Sequence, residues 1–340
     1  MLELIIVVAV IAILISLLLP AIQQSREAAR RTQCRANLMN IGFALQNYES
    51  AFGVLPPGSV SQTAPVLNRL QDAPFSWIAQ LLPHFEAGGT YRQIDFRQSP
   101  LAAANDRARM SVQTLLLCPS SAFNYKLSIP LSRPTPEFDA DGPAADGELN
   151  LDEFMGMGVD SESAIPAIAS LYAACHHDAE APIDVDQNGV MHLNSGIGTR
   201  EIPDGRSQTI AVGELIGDTI RNPGWMVGLR GTLRNTGSLI AQSHPYGLQP
   251  GASPAEIDFW WKLEHEEDAV DEAGELMQAE DAMAARTRLD RLVGGFGGMH
   301  SGGTVFVFCD GAVRFVSNNI DQALYRRMGS RRDGGLVDLD

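Results

Sequence analysis

The segment Leu4 to Leu19 is apolar at every position except Ser16, with Glu3 before it and Arg26, Arg30, Arg31 and Arg35 after it. A helix that is apolar all round must be buried, either by other protein or by lipid. Its sixteen residues span about 24 Å as a helix, against about 30 Å for the hydrocarbon core of a bilayer. Ala21 and Ile22 extend the run slightly past Pro20. A cleaved signal peptide fits poorly, because no basic start precedes the run and no small-x-small site follows it. A plain anchor with all its arginines on the distal side would leave the rest of the chain in the cytoplasm. Glu3 is an ionisable group beside an apolar span, which is costly unless it meets a cation or the interface, and so points to a function.

The helical pattern continues beyond the run. Cys34, Leu38, Ile41, Leu45 and Tyr48 alternate by four and three, which makes one apolar stripe on an amphipathic helix. Arg30, Arg31, Arg35 and Asn37 fall off that stripe, and Gly53 with Pro56-Pro57 provides the stop signal. The pattern predicts one helix over residues 1 to about 50, close to 75 Å long, whose second half packs on a head. The expected division is 1–22 as the membrane part, 23–52 as the amphipathic continuation, 53–330 as the head and 331–340 as a tail.

The head reads as α+β with a mainly antiparallel sheet and loop insertions. Short runs punctuated by Gly and Pro replace any βαβ alternation, and no dinucleotide or P-loop fingerprint occurs. Phe75–Pro83, Thr209–Glu214 and Gly224–Gly228 read as short helical or extended elements. Segments near 137–153 and 262–292 are strongly acidic and read as insertions with solvated faces. Asp310-Gly311 between Thr304–Cys309 and Ala312–Ser317 is a hairpin signal. A two-residue turn there sets Phe308 opposite Val313 and Phe306 opposite Phe315. A strand this apolar on both faces is central, or covered by the long helix.

Candidate chemistry is sparse. The net charge of −16 repels phosphate backbones, so no nucleic-acid partner is expected. There is no Gly-x-Ser-x-Gly elbow and no His-Glu-x-x-His, and no catalytic residue is assigned. Asp184, Asp186 and Asn188 open like a calcium loop, but Ser195 stands where the bidentate glutamate belongs, and an Asn-Gly turn explains the same residues. Asp139, Asp141 and Asp146 form a weaker acidic loop. His176-His177-Asp178 looks like a metal cluster, yet neighbours on a strand point opposite ways. If the head is exported its cysteines can bridge. Four cysteines allow three complete pairings. The loop-rich surroundings of Cys118 and Cys175 favour that pair, whereas Cys34 and Cys309 read as buried thiols.

The opening MLELIIVVAVIAILISLLLPAIQQSREAARRTQC resembles the mature start of a prepilin-type cleavage/methylation helix, with Met1-Leu2-Glu3 in place of its Leu-Ile-Glu. The preceding Gly-Phe-Thr and basic leader are not in the chain, as when translation is taken from an internal Met or a leader has been trimmed. Arg31–Leu38, Leu82–Glu86, Leu117–Ser120, Asp204–Ile210 and His300 followed after nine residues by Asp310-Gly311 extend the likeness. The chain is similar to a prepilin-like family whose large body is of unknown function and whose carboxyl end carries a His-x9-Asp-Gly motif. The resemblance implies a single-pass membrane protein with its head in the periplasm or at the cell surface. It also implies a pilin-like or pseudopilin-like structural role. Its partners would be membrane lipid and copies of itself or related subunits, with Glu3 meeting the terminal amine of a neighbour. No cofactor is implied beyond the weak calcium loop. The competing expectation is a membrane-tethered binding domain, for a glycan or calcium, that forms no filament. For His300, extended residues 304–309 alone span about 20 Å, so a dyad with Asp310 requires Gly297, Gly298, Gly302 and Gly303 to fold the chain back; the favoured expectation is that His300 bonds a loop while Asp310-Gly311 makes a turn.

Overall fold

The computed structural model describes residues 2–70, 73–121, 125–130, 164–216, 222–240, 290–300 and 302–335, and in the first part of the opening helix only some side chains. The acidic segment 137–153 and most of the second one, 262–289, lie outside the described residues, as does the side chain of Glu3.

One helix, α1 (Leu2–Phe52), runs for 51 residues, about 75 Å at 1.5 Å per residue. It ends on Gly53, whose φ of 76° lets its N–H turn back to the Glu49 carbonyl at 2.7 Å. Such a left-handed stop favours glycine. The predicted stripe is the buried face: Cys34, Leu38 and Ile41 are each 0% exposed. The buried arc is wider than the stripe and takes in Asn37, whose side-chain amide donates to the Leu117 carbonyl at 2.9 Å. Toward the amino terminus Leu4, Leu14, Ile15, Leu18, Leu19 and Ile22 are exposed, and Cys34 is the first buried residue among the described side chains of α1. Among the described residues, no helix is long and apolar enough to cross a membrane.

The strands are β1 (Ser59–Val60), β2 (Phe75–Ser76), β3 (Lys126–Pro130), β4 (Ala164–Ile168), β5 (Tyr172–His177), β6 (Ile210–Glu214), β7 (Leu233–Asn235), β8 (Gly303–Phe308) and β9 (Val313–Ser317). Pairs β1–β2 and β3–β4 are separate antiparallel ribbons, and the central sheet has the order β7-β5-β6-β8-β9. Only the β5–β7 pairing in it is parallel. The head is therefore α+β with a mainly antiparallel sheet, as the sequence pattern indicates.

Two apolar clusters lie on opposite faces of this sheet. Val305, Val307 and Val313 join Leu38, Ile41 and Leu45 of α1. Phe306, Phe308 and Val316 join Tyr325 and Met328 of the short carboxyl-terminal helix Gln322–Gly329. The sequence pattern does not single out that helix, although Asp321 caps it by accepting the Leu324 N–H at 2.9 Å.

Three local expectations are corrected. The β8–β9 register pairs Val307 with Val313 and Val305 with Phe315, one residue away from the two-residue-turn register. The Gly311 N–H bonds the Phe308 carbonyl at 2.9 Å and Gly311 has φ 85°, so the connection is a three-residue loop with glycine in the left-handed position. A slip of one residue turns β9 over: Phe315 faces Arg31 of α1, whose guanidinium carbon lies 3.9 Å from the ring centroid, instead of Phe306. Gly224–Gly228 is a buried loop with a single bridge, Phe75 to Val227, because Gly224 has φ 90°, which an extended strand does not adopt. Finally, the chain stays in the head past position 330: the N–H groups of Asp333 and Gly334 bond the Asp204 carboxylate at 2.6 and 3.0 Å.

Candidate functional site

Among the described residues a polar constellation beneath α1 is centred on His300. Four pieces of chain build it. The fully buried strand β6 ends on Glu214, 2% exposed. The loop before β8 supplies His300, α1 supplies Glu27 and Cys34, and the turn after Leu116 supplies Cys118 and Ser120. A buried carboxylate needs partners, and Glu214 has them: Oε2 accepts the Val305 N–H at 2.9 Å, and Oε1 lies 3.1 Å from His300 Nε2. Gly298 makes the room, since a Cβ there would lie 2.6 Å from Glu214 Oε2 and 3.2 Å from Thr304 Oγ1. The Thr304 hydroxyl is itself buried with no partner among the described residues.

The other imidazole nitrogen, His300 Nδ1, faces Glu27 Oε1 at 3.2 Å. That same oxygen accepts the Ser120 hydroxyl at 3.0 Å, and Arg30 pairs with Glu27 Oε2 at 2.6 Å. The bond to Glu214 raises the His300 pKa above the ordinary imidazole value; burial opposes this, and Glu27 adds to it. For Glu27, partial burial pushes the pKa up, but the bonds from Arg30, His300 and Ser120 together hold it below the usual carboxylate value. A doubly protonated imidazole can donate to both carboxyl groups and so ties α1 to the sheet.

Beside this bridge, Cys34 and Cys118 form a disulfide, with Cα atoms 5.2 Å apart. The expected Cys118–Cys175 pair is therefore corrected: Cys118 bonds Cys34, and Cys175 and Cys309 are buried free thiols. Cys175 sits in β5 with its thiol donating to the Gly329 carbonyl at 3.6 Å, on the side of the sheet away from α1. Cys118 Sγ lies 3.8 Å from His300 Nε2 and 3.9 Å from Glu214 Oε1. One ligand atom from each of Cys34, Cys118, Glu214 and His300 lies within 4.8 Å of the others.

The other end of the His-x9-Asp-Gly segment also rests on α1. Asp310 accepts the Ala312 N–H at 2.9 Å, which closes its own turn. The Cys309 carbonyl accepts from Gln46 of α1 at 3.0 Å and from Arg206 Nη2 at 2.7 Å, and Arg206 in turn pairs with Glu49 of α1 at 2.6 Å. Strand β8 thus separates His300 from Asp310, and each end of the segment grips the helix. His300 does not bond a loop, as the sequence suggested; its partners are the two carboxylates. Glu214 and Glu27 escaped the sequence analysis. The available signal was an acid closing an otherwise apolar run, Ile210–Glu214.

The remaining candidates are not brought to this place. Asn188 Oδ1 faces His177 Nδ1 at 2.5 Å and accepts the Asp178 N–H at 3.2 Å. The guanidinium of Arg331 donates to the Gln187 and Gly189 carbonyls at 2.5 and 2.6 Å. A fixed side-chain cation thus lies on the loop of Asp184, Asp186 and Asn188. His176 turns away from His177 to bond Gln187 Oε1 at 2.7 Å, and burial pushes its pKa down to about 4. These two neighbours alternate across the strand, as expected.

No curated protein and no solved structure matches the chain. Residues 23–323 match the family model described as a protein of unknown function, DUF1559, and the chain belongs to that family.

Proposed function

We propose that the protein is a membrane-anchored, pilin-like or pseudopilin-like envelope subunit with a structural or display role. The observation that carries this is the division of labour along α1. Its second half is a core element of the head, while the described aliphatic side chains of its first half, Leu4 through Ile22, are exposed. A head alone gains nothing from a long apolar extension that it does not cover. The run of sixteen residues from Leu4 falls short of the roughly 20 that span a bilayer unaided. It suits a helix that shares its burial between lipid and neighbouring helices. The grip of His300, Arg206 and the β8–β9 hairpin on α1 fits a subunit whose head must move as one piece with its anchor.

In this reading Glu3 offsets the terminal amine of a neighbouring subunit, membrane lipid and like subunits are the partners, and the head lies outside the cytoplasmic membrane. The test is Glu3→Leu in the natural host, read by membrane fractionation and by cross-linking between copies. The expected result is a variant of normal abundance, still in the membrane, with inter-subunit cross-links lost. Cross-linking equal to the parent protein overturns the assembly role, and recovery in the soluble fraction overturns the anchor.

A further inference from the structure

We infer that Cys34, Cys118, His300 and Glu214 are a redox-gated metal site, which holds a zinc-class divalent ion when the disulfide is open. The donor set is two sulfurs, one imidazole nitrogen and one carboxylate oxygen, all within 4.8 Å of one another. Metal–ligand bonds of about 2.0–2.3 Å in a tetrahedron place the donors about 3.3–3.8 Å apart. The spacings from Cys118 Sγ to His300 Nε2 and Glu214 Oε1, 3.8 and 3.9 Å, and the 3.1 Å from that nitrogen to that oxygen, are close to those edges. Two thiolates with nitrogen and oxygen donors in this arrangement select zinc over the hard cations magnesium and calcium.

The surroundings are those of a ligand set. His300 presents Nε2 to the sulfurs and can donate its Nδ1–H to Glu27 Oε1, 3.2 Å away. A carboxylate behind a ligating imidazole orients the ring in this way at metal centres. Glu27 is in turn held by Ser120 and Arg30, and Glu214 Oε2 by the Val305 N–H, which leaves Oε1 toward the sulfurs. The unpartnered hydroxyl of Thr304 and the bare backbone of Gly298 line the same place. A disulfide that only staples α1 to the head requires none of these groups.

The exchange balances with a dithiol as reductant. The dithiol gives two electrons and two protons to the sulfur–sulfur bond and leaves as its own disulfide, and Cys34 and Cys118 become thiols. Binding of the divalent ion then displaces both thiol protons and any proton on His300 Nε2. A disulfide oxidant reverses the exchange: it takes two electrons from the Cys34 and Cys118 thiolates and two protons from solvent, leaves as its dithiol, re-forms the sulfur–sulfur bond and ejects the ion, so the helix stays tied to the head in both states.

The experiment uses the full chain in detergent, titrated with cobalt(II) before and after reduction with dithiothreitol and removal of the reductant under nitrogen. We expect one equivalent to bind the reduced chain only, with thiolate-to-cobalt charge transfer and intense tetrahedral visible bands that zinc abolishes. Glu27→Gln should weaken cobalt binding about 10- to 100-fold, as for loss of a residue that supports a ligand, and His300→Gln should abolish the tetrahedral bands. An absent tetrahedral spectrum in the reduced chain, or one unchanged in His300→Gln, overturns the site. Melting of the reduced chain by circular dichroism covers the case in which reduction loosens the head. Zinc should raise its melting temperature, and a melt that zinc leaves unmoved also overturns the site.

Discussion

Gly42 and Gly311 face each other where α1 crosses the β8–β9 hairpin: the Gly311 carbonyl oxygen stands 3.2 Å from the position a Cβ on Gly42 would take. Val307 Cγ1 is 3.3 Å from the same point. The absence of a side chain lets helix and turn approach at the end of the segment that begins with His300. Alanine at position 42 gains about 1 kcal/mol of helix propensity over glycine, which offsets most of a tight methyl contact. Valine adds two methyl groups that have nowhere to go, and overpacking costs about 1–3 kcal/mol. Thermal or urea denaturation should therefore show Gly42→Ala within about 1 kcal/mol of the parent and Gly42→Val clearly weaker. Equal stability of all three would mean that the helix does not seat on the turn.

The bridge from His300 gives stability a definite dependence on pH. Its pKa is raised in the folded head, so folding is favoured by protonation. That contribution is fully present below the ordinary imidazole pKa of about 6.5 and fades as pH rises through the raised folded value. Glu27 acts in the opposite sense. Its lowered pKa contributes stability above the ordinary carboxylate range, and this is lost as pH falls. The melting temperature of the parent minus that of His300→Gln should be largest in mildly acid solution and shrink toward alkaline pH. A difference that grows with pH contradicts the bridge.

Glu214 has a sharper prediction because it is buried. Glu214→Ala strips the Val305 N–H and His300 Nε2 of their acceptor, and each buried group left unpaired costs about 1–3 kcal/mol. Glu214→Gln keeps an acceptor oxygen and should recover part of the loss. Denaturant midpoints of the two variants decide the matter: alanine as stable as glutamine would show that the carboxylate side chain is not the partner of the β8 backbone.

How much of this was readable in advance depended on the range of the interaction. The stripe from Cys34 to Tyr48 was legible because helical burial repeats along the chain, and Gly53 marked its end. The hairpin was legible, but its register was not: Asp-Gly suits both a two-residue turn and a three-residue loop with glycine left-handed, and the difference decides which face Phe315 takes. The site was hidden. Glu27, Glu214 and His300 lie far apart in sequence, and no local period brings them together. Cys34 looked like one more apolar stripe residue; only the packing of the turn at Cys118 against that face shows why it is a cysteine. The segment His300 to Gly311 was visible as a pattern, but its sense as two grips on one helix required the position of α1.

Peptide mapping without reduction tests the cysteine assignment. A cross-linked pair containing Cys34 and Cys118 is expected, with Cys175 and Cys309 alkylated only after unfolding, since both are buried. A Cys118–Cys175 link would overturn it. The bond closes a loop across 84 residues of sequence, so the Cys34→Ser, Cys118→Ser double variant should lose about 2–4 kcal/mol, a loss that loop-closure entropy in the unfolded chain can account for.

Arg331 gives the last prediction, because with Asp333 and Gly334 it packs on the head beyond position 330. The residue is 7% exposed, and its guanidinium donates to the Gln187 and Gly189 carbonyls, at the end of the loop that carries Asp184, Asp186 and Asn188. Its own N–H bonds the Asn188 carbonyl at 2.8 Å. Hydrogen bonds from a charged donor contribute about 1.5–3 kcal/mol. Arg331→Met keeps the aliphatic stem and removes the donors, so it isolates that contribution; a loss of about 3–6 kcal/mol is expected for the two carbonyls together. Both carbonyls accept from the one nitrogen Nη1, and a lysine ammonium carries three donors on one nitrogen, so Arg331→Lys should retain part of the contribution and fall between the parent and methionine. A methionine variant as stable as the parent would put the loop's stability elsewhere. If calcium then restored lost stability to the methionine variant but left the parent unchanged, the guanidinium would be standing where a metal ion can also bind.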